Sequence, residues 1–188
     1  MSKNKQMVAR EEELIQRIIK GDRKASFVLY HRYARQMLNV AFRILKEEEE
    51  AKDVLQESFL KAFRELNKLQ NPAGFGGWLK RIVVNTAINQ AQKKKLFLVD
   101  FSAQLNDRYL ANEEEHVNEN STWDIALAKK ALMELPNGYR TVLSLYLIEG
   151  YDHQEIASIL GISVSTSLTQ YSRGKKKLIQ IINDYKDK

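Results

Sequence analysis

Side chains able to do chemistry fall into three groups along the chain, and all three suit holding a partner better than transforming one. The first is an acidic and amide stripe, Asp53, Gln56 and Glu57, with Leu60 and Arg64 in the same line. The second is Arg81, Asn85, Asn89, Gln92 and Lys93, placed directly after NPAGFGGW with its rings Phe75 and Trp78. The third runs from Ser163 to Lys177 and closes on Arg173, Lys175, Lys176 and Lys177. Cations track phosphates, amides read base edges, and rings or pockets accept unstacked bases. The second and third groups therefore fit nucleic-acid contact; solvated helix faces, with Trp78 in the core, are the plain alternative, and for Trp78 the core is the preferred place. Catalytic arrangements are missing: His31, His116 and His153 are scattered, with no H-E-x-x-H and no paired carboxylates. They read as structural or surface residues, and Glu113 to Glu115 as a solvated run. No metal, cofactor or small-molecule substrate is expected.

Helices must position these groups. In DHQEIASILGISVSTSLTQYSRGKKK, Ile156, Ala157 and Leu160 give one apolar face, and Gly161 can take the positive φ that ends a helix. Ser163 can cap the next helix, and a small Ala157 lets the two backbones approach, which is helix-turn-helix geometry. Before it, Ile125, Ala128, Leu132 and Leu135 predict a helix capped by Ser121 or Thr122. Tyr139, Val142, Leu143, Tyr146 and Leu147 predict another, ending at Gly150.

The first half reads as four helices. Leu14, Ile15, Ile18 and Ile19 form a short one that stops at Gly21. Asp22 caps the next, with Ala25, Val28, Leu29, Tyr33, Met37 and Leu38 inward and an end near Leu45. Glu47 to Glu50 open a third, where negative charge suits the helix N-terminus. Its core face is Ala51, Val54, Leu55, Ala62, Leu66 and Leu69, joined by Phe59 and Phe63. Leu60 stands in the polar stripe either as a contact residue or as an ordinary exposed leucine. Pro72 and glycines 74, 76 and 77 predict a loop packed on Phe75 and Trp78, not a phosphate cradle, since no G-K-[ST] follows. The fourth helix buries Leu79, Ile82, Val83 and Thr86.

Between the halves, Leu96 to Ser121 loses periodicity and reads as a tether, on which Phe97, Val99 and Phe101 can dock. The expected fold is all-α: a domain over 8–96, a linker over 97–121 and a helix-turn-helix domain over 122–186. With 30 basic against 24 acidic residues, a formal charge of +6 favours a polyanionic partner. The absence of cysteine excludes disulfides and suits a cytoplasmic location. MSKNKQMVAREEELIQ lacks a signal peptide's apolar run, and no apolar stretch nears the ~20 residues of a membrane span.

AKDVLQESFLKAF, GFGGWLKRIVVNTAINQAQKKK and LPNGYRTVLSLYLIEGYDHQEIASILGIS together resemble conserved region 2, its promoter-melting segment, and region 4 of a bacterial sigma factor of the extracytoplasmic-function (ECF) group. The resemblance implies two helical domains that bind core RNA polymerase and promoter DNA, without covalent chemistry, and control by an anti-sigma factor. By position, Asp53, Gln56, Glu57 and Leu60 match the surface that holds the clamp helices of the largest polymerase subunit; region 4 implies a contact with the flap of the second-largest. Asn71, Phe75, Trp78, Lys80, Arg81, Asn85, Asn89 and Lys93 match the −10 surface, the Asn71 to Trp78 loop being the captor of a flipped base. Ser165, Thr166, Leu168, Thr169 and Gln170 match the −35 reader, with Arg173, Lys175 and Lys176 on phosphates. The chain departs from the family pattern at Ser167, often valine, at Leu168, often basic, and at Gly76 and Gly77, where bulkier residues are usual. Leu168 either meets a thymine methyl or packs inward. A helix-turn-helix repressor accounts for the second half but leaves the first two groups without a task, and a protein-only adaptor leaves both basic tracts unexplained.

Overall fold

The computed structural model describes residues 3–94 and 125–186, with side chains from residue 11 onward, and has no strand among them. The expectations for Phe97, Val99, Phe101, Glu113 to Glu115, His116, the Ser121 or Thr122 cap and the 97–121 linker lie outside the described residues. The chain divides into two units, Met1–Gln90 and Ala91–Lys188, whose described elements are all helices.

In the first unit α1 spans Lys3–Ile19, α2 Arg23–Leu45, α3 Glu48–Arg64 and α4 Phe75–Lys93. Asp22 caps α2 as its residue type requires, accepting from the N–H groups of Lys24 (2.8 Å) and Ala25 (3.2 Å). α2 ends at Lys46 in the left-handed region, whose N–H returns to the Phe42 carbonyl. Lys52 then joins Glu48 and Glu49 across the first turn of α3, and that pairing raises its pKa. The core gathers Ile15 from α1, Leu29, Met37, Val40 and Ile44 from α2, Val54 and Phe59 from α3, and Leu79, Val83 and Ile88 from α4. Val28 and Ile19, expected inward, are exposed, because each lies on the flank of its helix.

The predicted loop over 71–78 is shorter than expected. Asn71 caps a 3-10 turn, Pro72–Gly74, and α4 begins at Phe75, so Gly76 and Gly77 lie in a helical first turn. Gly76 has a steric reason: a Cβ there would stand 2.9 Å from Cε1 of Tyr33. The Tyr33 hydroxyl donates to the Glu11 carboxylate (2.8 Å to Oε1), which also lies 3.5 Å from the Arg32 guanidinium. Burial, then the hydrogen bond to Glu11, holds the Tyr33 pKa well above the usual phenol range.

In the second unit α5 spans Ile125–Glu134, α6 Asn137–Leu143, α7 His153–Leu160 and α8 Val164–Lys186. Leu132, Leu135, Tyr139 and Leu143 form a cluster against which Tyr171, Leu178 and Ile181 of α8 pack. Ile125, expected inward, is exposed and Ala131 is buried in its turn. After α6 the backbone widens into a π-helical turn, Ser144–Ile148, closed by Glu149 N–H to the Ser144 carbonyl. The wider turn shifts the phase of the helix: Leu145 is buried, while Leu147, expected inward, is exposed. Arg140 is fully buried and donates to the Leu135 carbonyl (2.9 Å) just past the end of α5 and to Asn137 Oδ1, a cation where the helix dipole favours one.

Two outcomes test this packing. At Gly174 an added Cβ would meet Tyr139 Cβ and Leu143 Cδ1 at 3.1 Å each. Ala is the better helix former by about 1 kcal/mol, but Tyr139 Cβ cannot move without its backbone, and overpacking costs ~1–3 kcal/mol. Gly174→Ala should therefore lower stability by about 1 kcal/mol in urea unfolding. Because the Tyr33 pKa is raised in the folded state, its stabilising share is complete below the unfolded phenol value near 10 and is lost as pH rises through the folded value. Tyr33→Phe should flatten the alkaline limb of stability against pH above about 10.

Candidate nucleic-acid interface

Along α3 the core takes Ala51, Val54, Leu55, Ser58, Phe59 and Ala62, so the opposite stripe is solvent-facing. Asp53, Gln56 and Glu57 lie on it, and Leu60 is 62% exposed in their midst. An apolar side chain ringed by acidic and amide groups is the composition of a protein contact, a greasy centre with a polar rim.

The second group is a surface continued from a turn into a helix. Asn71 is exposed, and its Oδ1 accepts the Ala73 N–H (3.1 Å), which shapes the turn. Phe75 is a correction: it is fully buried, edge-on to Tyr33 (centroids 5.4 Å), and cannot stack on a base. Trp78, favoured for the core, is instead half-buried with Phe75 beneath it at 6.0 Å. Arg81, Asn85, Asn89 and Lys93 are exposed along one side of α4, Lys80 is half-buried, and the other side carries Leu79, Val83, Val84, Ala87 and Ile88 into the core. Thr86 is half-buried and donates back to the Ile82 carbonyl at 2.9 Å. The result is a ring beside a line of donors, the arrangement that takes an unpaired strand.

In the second unit the helix-turn-helix forms as its residues require. Asp152 caps α7 in a capping box with Glu155, and Gly161 closes it at φ 68°. Ser163 Oγ accepts the Thr166 N–H (3.0 Å) and so caps α8. Ser165, Leu168 and Thr169 are exposed on the first turns of α8, with Leu168 at 49%, which decides against its packing inward. Thr166 is half-buried beside the Ser163 hydroxyl (2.8 Å), and Thr169 donates its own hydroxyl to the Ser165 carbonyl. Gln170 is the second correction: only 4% exposed, it faces the interior and is withdrawn from any groove. Ser172 shares the exposed stripe with Ser165, Leu168 and Thr169; sequence reasoning missed it, although its i+7 spacing from Ser165 is there to read. Arg173 is half-buried; Lys175, Lys176 and Lys177 are exposed.

The departure at Ser167 has a partner. Ser167 is fully buried and its Oγ lies 2.9 Å from His153 Nδ1, joining the first turn of α8 to the first residue of α7. His153 in turn stacks on Tyr146 (4.6 Å) and meets Tyr171 edge-on (5.5 Å). It is a structural histidine. Among the described residues no group of His, Asp and Glu could hold a metal ion, and no helix is long and apolar enough to cross a membrane.

Residues 29–97 match the family described as Sigma-70 region 2, and residues 126–178 match Sigma-70, region 4, about two thirds of the chain between them. The RNA polymerase sigma-H factor of Pseudomonas aeruginosa is 26% identical over 176 residues, 89% of this chain and 91% of the relative. The ECF RNA polymerase sigma-E factor of Haemophilus influenzae is 28% identical over 176 residues, 89% of this chain and 93% of that protein. Among solved structures, the fold is similar to the sigma factor RpoE in its complex with the anti-sigma factor NepR from Bartonella quintana (TM-score 0.52, 19% identity, 82% of this chain and 94% of that one). It is similar also to CnrH in complex with the cytosolic domain of CnrY (TM-score 0.52, 23% identity, 93% and 98%). Both conserved regions, in their order and over nearly the whole length of full-length relatives, make this chain a member of the sigma-70 family, in its extracytoplasmic-function group.

Proposed function

We propose that the chain is an initiation factor that binds core RNA polymerase through α3 and directs it to promoters by reading two separated elements. The observation that carries this reading is the presence, on two helical units, of three solvent-facing stripes of different chemistry: acidic and amide with a leucine on α3, basic and amide beside a tryptophan on α4, hydroxyl and basic on α8. In this assignment the region 2 domain spans 8–96 and the region 4 domain 122–186, joined by 97–121. Asp53, Gln56, Glu57 and Leu60 meet the clamp helices of the largest subunit, and the region 4 domain meets the flap of the second-largest. Asn71, Trp78, Lys80, Arg81, Asn85, Asn89 and Lys93 contact the −10 element. Ser165, Leu168 and Thr169 reach the floor of the −35 major groove, Thr166 holds the start of the helix, and Arg173, Lys175 and Lys176 lie along the phosphates.

Extruding a base from a duplex costs a few kcal/mol. Stacking on one aromatic ring returns about 1–3 kcal/mol, so Trp78 supplies much of that sum and the cationic side of α4 the remainder. Phe75 acts from below, as the support of Trp78. No covalent step is required of the chain, and a cytoplasmic location follows from the partner. The two similar structures are complexes with NepR and with the CnrY cytosolic domain, and an anti-sigma partner for this chain belongs to the same proposal.

With core polymerase added, the protein should direct transcription from a defined start site; specific duplex binding without polymerase and no initiation would instead mark a repressor. Replacing Asp53 and Gln56 together with alanine should weaken core binding at least tenfold in a competition assay, while unchanged affinity would remove their role. Removing charge at Lys175 and Lys176 should lower affinity for all DNA sequences and reduce the salt slope by about one unit for each phosphate that is no longer neutralised.

A further inference from the structure

The turn that precedes Trp78 has little to hold it. Asn71, Ala73 and Gly74 are exposed, none of Pro72, Ala73 and Gly74 is buried, and the turn's internal bonds run from the Ala73 N–H to Asn71 Oδ1, from the Gly74 N–H to the Asn71 carbonyl (2.9 Å) and from the Phe75 N–H to the Pro72 carbonyl. Its shape is imposed from two directions. α1 packs against Pro72–Gly74 and against the preceding turn, Leu66–Lys68. From α2, the Tyr33 ring lies on Gly76 and against Phe75, the residue under Trp78. The ring's far end is fixed by Glu11 of α1, a residue 6% exposed whose carboxylate receives the hydroxyl at 2.8 and 2.9 Å. A buried carboxylate must keep such partners, so Glu11 holds the ring as firmly as the ring holds Glu11.

We infer that Glu11 and Tyr33 are positioning residues for base capture: the hydroxyl–carboxylate bond between α1 and α2 sets the height and angle of the Phe75–Trp78 step, and with it the fit of the extruded −10 base. The inference rests on the reading of Asn71 to Trp78 as the captor of that base. It also explains why this chain carries glycine at 76: a larger residue would displace the ring. Glu11 and Tyr33 touch no base themselves.

The test uses holoenzyme assembled with core polymerase and a fluorescent single strand of the mapped −10 element, with an abasic site moved along it one nucleotide at a time. Wild type should show one position where the abasic site weakens binding about tenfold, the worth of one stacked base. Tyr33→Phe and Gly76→Ala should bind core normally yet flatten that position to less than about twofold, leaving the phosphate-borne affinity of the rest of the strand unchanged. Glu11→Gln, which keeps an acceptor for the hydroxyl, should retain the wild-type profile, whereas Glu11→Ala should flatten it. Should Tyr33→Phe lose core binding, the Glu11 pair decides alone. Variants that bind core and keep the full profile would overturn the positioning role. A wild-type profile without any sensitive position would instead overturn base capture, which is a different failure.

Discussion

In both units a helical glycine lies directly under side chains of a neighbouring helix, where a Cβ would collide. In the first, Tyr33 of α2 covers Gly76 at the start of α4; in the second, Tyr139 and Leu143 of α6 cover Gly174 midway along α8. At Gly174 the near atoms are Tyr139 Cβ and Leu143 Cδ1, and at Gly76 they belong to the Tyr33 ring, so a larger residue at either glycine would have to displace its neighbour. These glycines face the packed side of α4 and α8, and the opposite stripes are left for solvent.

That economy of surface explains both corrections. A helix gives a partner only what its own core leaves over. On α8 the core takes Ser167, Gln170, Gly174 and Ile182, and what it leaves exposed includes Ser165, Leu168, Thr169, Ser172, Lys175 and Lys176. Gln170 has the side chain of a base reader, since an amide pairs well with adenine, but it lies one position too far round the helix. Phe75 has the ring for stacking, yet as the first residue of α4 it points down beside Tyr33. The proposed base contact is thereby concentrated on Trp78, with Phe75 as its floor.

Polar groups inside both units serve orientation. Glu11 with Tyr33 and Arg32, His153 with Ser167, and Arg140 with Leu135 and Asn137 each join segments distant in sequence or at a sharp bend. Buried polar groups are costly unless hydrogen-bonded, and a hydrogen bond has a direction that apolar packing lacks. The Ser167 to His153 bond shows the consequence: where the family pattern often has valine, this chain ties α8 to α7 by one directed contact.

The family, the all-helical class, the helix-turn-helix and the solvent-facing line Asp53, Gln56, Glu57 and Leu60 were all legible in the residues, because 3.6-residue periodicity and cap chemistry are local and strong. The Asp22 and Ser163 caps and the Gly161 stop needed nothing beyond their neighbours in the chain. Three things were decided only by tertiary packing. The π turn at Ser144–Ile148 turned Leu147 outward, and no local pattern announces such a shift of phase. The inward turn of Gln170 and Phe75 depended on which flank of a helix its neighbours cover. The Glu11–Tyr33–Gly76 contact joins residues from three helices, 22 positions apart between its hydroxyl and carboxylate, so no spacing along the chain reveals it. Local chemistry determines where helices begin and end; which of their sides remains available is a property of the assembled core.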